Sequence, residues 1–253
     1  MIKEILIVFT FLTRIPFRIN FSYGAEEMGR TSRYFPLVGL IIGLFVAIVI
    51  YLFSFIDYQL AAVLGLLTGI ILTGGLHLDG FMDTADGIFS ARTREQMLEI
   101  MKDSRVGAHG VTACVILLLL KFVLYGIVEK NHLDIFWLIP MAFIFSRWAM
   151  AYAILFFPGA RNQGLGYIFI TYKRNSDFPI ASILTILPVI IFQHWMTLIP
   201  LILSFFLVWL YLRSILKILG GLTGDIYGSL AETSEVFFIM TYLITEYLIF
   251  ITN

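Results

Sequence analysis

The stretch from Phe35 to Ile56, FPLVGLIIGLFVAIVIYLFSFI, decides the fold. It holds no charged side chain, and about 20 apolar residues are enough for a helix to cross a bilayer core. Working outward, similar apolar windows fall near 60–78, 111–128, 135–157, 178–193, 197–219 and 236–252. The chain of 253 residues is 60% hydrophobic and 13% charged, with a mean hydropathy of +0.93. Soluble domains hold roughly half apolar and a quarter charged residues. The sequence therefore reads as an all-α, polytopic integral membrane protein with about seven transmembrane helices, in a range of about six to eight. Residues 5–13 are too short to span and are expected as an interfacial or re-entrant piece. A single membrane-embedded domain is expected over residues 1–253.

Several function classes lose ground at once. The net charge is zero, so no nucleic-acid partner is expected. Cys114 is the only cysteine and lies in an apolar run, which excludes a disulfide framework. The opening residues MIKEILIVFTFLTRIPF set Glu4 beside Lys3 and lack a small-residue cleavage pattern, so a cleaved signal peptide is not expected. There is no Cys/His metal spacing, no P-loop and no Gly-x-Ser-x-Gly pattern.

Positive charge alternates between connections. Lys3, Arg14, Arg18, Arg30 and Arg33 precede the first span; Arg92, Arg94, Lys102 and Arg105 lie in 79–110. Arg161, Lys173 and Arg174 follow the fourth span, and Arg213 and Lys217 approach the last one. The intervening connections hold only Lys130, so the basic segments are placed in the cytoplasm and the C-terminus outside. The polar sequence then gathers on one face, where an active site would meet soluble anionic substrates. His132 and His194 fall on the other face and need no role.

On the polar face, HLDGFMDTADGIFSAR (residues 77–92) carries Asp79, Asp83 and Asp86. At about 100° per residue these fall within roughly 60° of one another on a helix. One Asp there would read as a solvated helix end. Three on one stripe repel each other unless a cation sits among them, and Mg²⁺ takes a few carboxylates plus substrate phosphate oxygens. They are the candidate catalytic and metal-binding residues. Gly80 and Gly87 are expected to let a ligand approach the backbone. His77 would orient a carboxylate or act as a base.

A second cluster, GGLTGDIYGSLAETSEV (residues 220–236), sets Asp225, Glu232 and Glu235 toward one side of a helix. Its glycines are expected to wrap phosphate with backbone N–H groups. With the first cluster it suggests two half-sites closing over one substrate. Asp103, Asp225, Glu232 and Glu235 are further candidates for metal ligation or for deprotonating an attacking hydroxyl. Lys102, Arg105 and Arg161 are candidates for neutralising phosphates, with Arg33 at similar depth. Residues 94–102 read as a short amphipathic interfacial helix with Met97, Leu98, Ile100 and Met101 on its apolar side. Lys121 and Arg147 lie within spans and are expected to face the bundle interior, with partners the sequence does not identify.

GGLHLDGFMDTADGIFSARTREQMLEIMKDSRVGAHGV resembles the signature region of the cobalamin synthase family, the adenosylcobinamide-GDP ribazoletransferases. FLTRIPF, SRYFPLVGLIIG, ARNQGLG and GGLTGDIYGSLAETSEV carry the likeness along nearly the whole chain; His109 departs from it, where a larger apolar or aromatic residue is expected. The resemblance implies a Mg²⁺-dependent phosphotransferase in a bacterial or archaeal cell (inner) membrane, facing the cytoplasm. It would join α-ribazole, or α-ribazole 5′-phosphate, to adenosylcobinamide-GDP and release GMP. Partners would be these substrates and the lipid bilayer; a homo-oligomer or association with other cobalamin-assembly enzymes stays open. DTADGIFSAR is also fainter in likeness to the D-x-x-D-G-x-x-A-R motif of CDP-alcohol phosphotransferases, with one extra residue after Gly87. That likeness is one of chemistry. A CDP-alcohol phosphotransferase and a cation-coupled transporter are the competing readings. A transporter would place its essential charges at mid-membrane, as at Lys121 and Arg147.

Overall fold

The structure is a computed structural model that describes residues 1–17, 20–131 and 133–252. Arg18 and His132 lie outside the described residues. The helices are α1 (Ile2–Leu12), α2 (Ala25–Gly29), α3 (Phe35–Ser54), α4 (Tyr58–Thr73), α5 (Leu76–Phe89) and α6 (Arg94–Ile100), followed by α7 (Ala108–Lys130), α8 (Ile135–Phe156), α9 (Leu165–Tyr172), α10 (Asp177–Ile191), α11 (Leu198–Leu219) and α12 (Gly224–Thr252). Among the described residues, five helical stretches are long and apolar enough to cross a membrane alone, and two bent pairs raise the total to as many as seven. This is the multi-pass α-helical architecture the hydropathy pattern predicts.

The bent pairs account for two windows. α4 ends at Gly74 and α5 starts after Gly75, both in left-handed backbone, so the chain turns by 92° between the helices. Glycine adopts that conformation without a Cβ clash. Between α9 and α10 the bend is 102°. The expected window 60–78 is thus a broken element, and helix continues through the acidic stretch after it. The last window also begins earlier than expected, because α12 takes in the second acidic cluster from Gly224 onward.

At the centre lies α8, buried nearly all round, with α3 against it. Water gives no help in bringing helices together inside lipid, so close backbone packing between small residues takes its place. Gly39 and Gly43, one turn apart on α3, provide it: a Cβ on Gly43 would sit 2.6 Å from the Cα of Pro140, and one on Gly39 would collide with the Phe143 carbonyl. Helix starts are capped as their sequences direct. Asp57 accepts from the amides of Gln59 (2.8 Å) and Leu60 (2.9 Å), and Thr93 and Gln96 exchange bonds in a capping box. α6 is amphipathic as expected, and its Met97 and Leu98 join the protein core.

Ionic pairs hold the interior. Glu235 on α12 accepts from Arg147 of α8 at 2.7 Å and from Lys121 of α7 at 2.6 Å, and Lys121 also pairs with Glu232. These are the partners that the two intramembrane cations require. Near the N-terminus, Arg33 pairs with Glu4 at 2.7 Å and with buried Asp177 at 3.7 Å. Arg33 therefore ties α1 to α10, and its expected role with an anionic ligand has no support here. His194 stacks on Trp137 at 4.1 Å.

Candidate active site

The polar segments converge on one cleft. α1, α5, the loop after α8 and the start of α12 all line a cavity of about 250 Å³. The convergence depends on glycine. α5 and α12 cross so closely that a Cβ on Gly80 would lie 2.8 Å from the Asp225 carbonyl oxygen, and one on Gly228 3.1 Å from that of His77. Gly87 packs in the same way on Met101. Gly80 and Gly87 were expected to admit a ligand; they admit protein, because each faces another element across van der Waals contact.

The loop after α8 is pinned to the α11–α12 turn by a short parallel bridge. Leu222 donates to the Pro158 carbonyl at 2.9 Å and accepts from the Ala160 amide at 2.8 Å. A Cβ at Gly221 would strike Ala160 N at 2.6 Å, so glycine alone suits that turn. Arg94 secures it further by donating to the Leu219 carbonyl at 2.7 Å.

These contacts fix Arg161. Its guanidinium donates to the Leu98 carbonyl at 2.7 Å and reaches Asp225 at 3.4 Å. Beside it the cleft is lined by Gly164 and Gly224, which stand at the starts of α9 and α12. Two helix N-termini and a guanidinium at one place form an electropositive wall suited to phosphate. Of the glycines expected to wrap phosphate, Gly224 lies open on this wall, whereas Gly220 caps α11 in left-handed backbone.

Asp79 and Asp225 line the same cleft. Asp83, one turn beyond Asp79 on α5, has Asp79, Asp225 and Asp86 as charged neighbours, with Arg161 as the countering cation. Asp86 is diverted from this group. It is 7% exposed and accepts from the amides of Gly107 (2.7 Å) and Gly110 (2.8 Å), holding the start of α7. A helix N-terminus offers unpaired amides that a carboxylate satisfies well. The expected stripe of three carboxylates thus exists on one helix, and a tertiary contact occupies its third member.

Among the described residues, no three His, Cys, Asp or Glu side chains are gathered closely enough to hold a metal ion by themselves. Asp79 and Asp83, with Asp225 on the adjoining helix, present hard oxygen donors and a surplus of negative charge. That set fits Mg²⁺, which commonly takes one or two carboxylates and completes its shell with water and substrate phosphate.

Other expected site residues lie elsewhere. Lys102 is exposed in the turn after α6. Arg105 is exposed too and grips Asp103 at 2.6 Å; this pairing pulls the Asp103 carboxyl down to about 2. Glu232 and Glu235 belong to the buried ion pairs with Lys121 and Arg147. His77 does line the cleft. Sequence reasoning missed Tyr227 and Gln163, which also line it; proximity to Asp225 and Arg161 was the only signal for them.

Fold and site together define a multi-pass α-helical membrane protein with a charged cleft that brings carboxylates and a guanidinium together. The chain belongs to the cobalamin-5-phosphate synthase family, whose profile matches residues 4–243. Among curated relatives, the adenosylcobinamide-GDP ribazoletransferase of Desulfitobacterium hafniense is 40% identical over 244 residues, covering 94% of this chain and 95% of the relative. That of Desulforamulus reducens is 40% identical, covering 97% and 98%. The enzyme of the same name from Clostridioides difficile is 35% identical, covering 98% of each. No solved structure matches the chain.

Proposed function

We propose that this protein is an adenosylcobinamide-GDP ribazoletransferase: it joins α-ribazole, or its 5′-phosphate, to adenosylcobinamide-GDP and releases GMP. The observation that carries this reading is the cleft itself, which gathers Asp79, Asp225, Arg161 and two helix N-termini, with Asp83 close to Asp79 and Asp225. A diphosphate ester needs both kinds of group: cationic groups for its oxygens and carboxylates for a metal.

In the reaction, the ribose 3′-hydroxyl oxygen attacks the phosphorus bonded to the cobinamide arm. An O–P bond forms, the bridging P–O bond breaks, and GMP leaves with that electron pair while the hydroxyl proton passes to a base. Arg161 and the amides at the starts of α9 and α12 would neutralise the phosphate oxygens as charge builds on the leaving group. Asp79 and Asp83, aided by Asp225, would hold Mg²⁺, which when bound polarises phosphoryl oxygens. Asp225 keeps the guanidinium of Arg161 oriented toward the cleft, and Thr223 Oγ1 steadies Asp225 at 3.1 Å. In this reading the cleft opens on the cytoplasmic face of a bacterial cell membrane, which the basic connections support.

The deciding experiment measures GMP release by purified protein in liposomes given adenosylcobinamide-GDP, α-ribazole phosphate and Mg²⁺. Wild type should form GMP and a cobalamin product, and Asp83→Asn should not. Folded wild type that releases no GMP would overturn the reading.

A further inference from the structure

One face of α12 carries both the cleft and the buried ion pairs. Asp225, Gly228, Glu232 and Glu235 recur at spacings of three, four and three residues, which sets them within about 80° of one another on a helix. Asp225 lines the cleft, and Gly228 lies against the backbone of His77 on α5. Further along, Glu232 pairs with Lys121 of α7. Glu235 receives two helices at once: its Oε1 accepts from Arg147 of α8 at 2.7 Å, and its Oε2 accepts from Lys121 at 2.6 Å. Ser146 Oγ closes the set, accepting from Arg147 at 2.6 Å and donating to the Phe143 carbonyl at 3.0 Å. Lys121, Arg147 and Glu235 are all buried.

Stability alone does not account for this arrangement. Replacing a buried ionic set by apolar side chains of similar volume is often neutral or stabilising, and a charge within a membrane span is costly. What the charges add is direction. An apolar helix face repacks after a small slide, and the glycine contacts between α5 and α12 bring the backbones close without interlocking them. Glu235 has no such latitude, because its two oxygens are taken by donors on two different helices. Sliding α12 by one residue would move each side chain about 1.5 Å along the axis and about 100° around it, which breaks both bonds. Asp225 rides on the same helix, and there Arg161 meets it at 3.4 Å.

We propose that Lys121, Arg147, Glu232 and Glu235 are positioning residues for the cleft: they fix the height and rotation of α12, and through the helix they hold Asp225 against Arg161. None of the four touches substrate in this account. Its consequence for turnover rests on the transferase reading and deepens it, whereas its consequence for the register of α12 rests on the geometry alone.

The test uses the full-length protein in nanodiscs and removes the charges together. Lys121→Met, Arg147→Met, Glu232→Leu and Glu235→Leu in one variant leave none of these charges unpaired, and Ser146 keeps its bond to the Phe143 carbonyl. This fourfold variant should keep the thermal midpoint of wild type. Spin labels at Phe156→Cys on α8 and Tyr247→Cys on α12, both exposed positions, read the height of α12 by double electron–electron resonance in a Cys114→Ala background. The wild-type network should give one narrow distance. The fourfold variant should add a population displaced by about 1.5–5 Å, the rise of one residue to nearly one turn. Its kcat should fall about 10²-fold, the scale of a 1 Å misplacement. The double variant Lys121→Met/Glu232→Leu keeps the Arg147–Glu235 pair and should show part of both effects; it carries the comparison if the fourfold variant does not fold. Wild-type distances in the folded variants, or displaced distances with wild-type kcat, would overturn the proposal. Absence of GMP release by wild type would overturn the transferase reading, while the distances still decide whether these charges fix α12.

Discussion

Gly80 of α5 lies against the backbone of Asp225 at the start of α12, with room for a hydrogen and none for a methyl: an added Cβ would stand 2.8 Å from the carbonyl oxygen and 3.0 Å from the Cα. Because Asp79 and Asp83 flank Gly80 on the same helix, this contact sets how far the two acidic segments stand apart. Gly80→Ala should therefore separate α5 from α12. Overpacking of this kind typically costs about 1–3 kcal/mol. We expect a lower thermal midpoint in detergent, together with a loss of GMP release larger than the unfolded fraction explains. A variant with wild-type turnover would show that the spacing is not critical.

Asp86 shares the acidic stripe with Asp79 and Asp83 but is bonded to the amides of Gly107 and Gly110. Substituting each by Asn should separate the roles. Asp79→Asn and Asp83→Asn should raise the Mg²⁺ concentration for half-maximal turnover by at least about tenfold. Asp86→Asn should shift it less than twofold and instead lower stability by about 1 kcal/mol, the usual effect of losing a helix cap. Magnesium titrations of activity, with thermal unfolding alongside, read both.

Arg161 and Arg105 offer a similar contrast. Arg161 lines the cleft beside Asp225, whereas Arg105 is exposed and paired with Asp103. Arg161→Gln should lower kcat/KM by about 10²-fold or more, the scale of losing one positioned donor to a developing charge. Arg105→Gln should leave kcat/KM within twofold. Steady-state kinetics on both variants check this, and equal losses would return Arg105 to the site.

The Asp103–Arg105 pair also has a pH signature. The Arg105 guanidinium and backbone amide lower the Asp103 carboxyl from 3.8 to about 2. A lowered folded-state value means that the pair favours the folded loop above the unfolded carboxylate range, and that this preference fades as pH falls toward 2. Carboxyl-carbon NMR of Asp103 in detergent should show the low midpoint, and Arg105→Gln should move it back toward that of an ordinary aspartate.

Glu235 is 2% exposed and receives both Arg147 and Lys121. Removing one partner from a buried ion pair leaves an uncompensated charge and typically costs about 3–5 kcal/mol. Glu235→Leu should therefore lose expression or unfold at much lower temperature, as should Arg147→Leu. If either variant folds normally and only turnover suffers, the network is functional and not structural. As charges paired side to side between α7, α8 and α12, Lys121 and Arg147 do not resemble the free charges of a translocation path.

Much of this was legible in one dimension. Apolar windows and loop charge marked the spans and the polar side, since the bilayer imposes a length and a composition on every crossing helix. Asp79, Asp83, Asp225 and Arg161 could be singled out because acidic and glycine-rich segments are rare in such a chain. The breaks at Gly74–Gly75 and between α9 and α10 were hidden, because hydropathy averages over a bend. The pairing of Lys121 with Glu232 and Glu235 joins residues separated by more than a hundred positions, and no local pattern carries that.

Composition and periodicity by themselves determined that this protein is a helical membrane protein and which short segments hold its chemistry; the length of apolar helix that lipid demands leaves few alternatives. Only the tertiary structure decided which carboxylates share the cleft. Asp86 and Asp83 are equivalent along the stripe, yet the amides of Gly107 and Gly110 claim one and leave the other among Asp79 and Asp225. Glu235 and Asp225 share one helix, yet Arg147 claims the first for the interior. In each case the choice belongs to an unpaired donor on a distant element, because a buried charge or amide must find a partner and takes the one the packing brings.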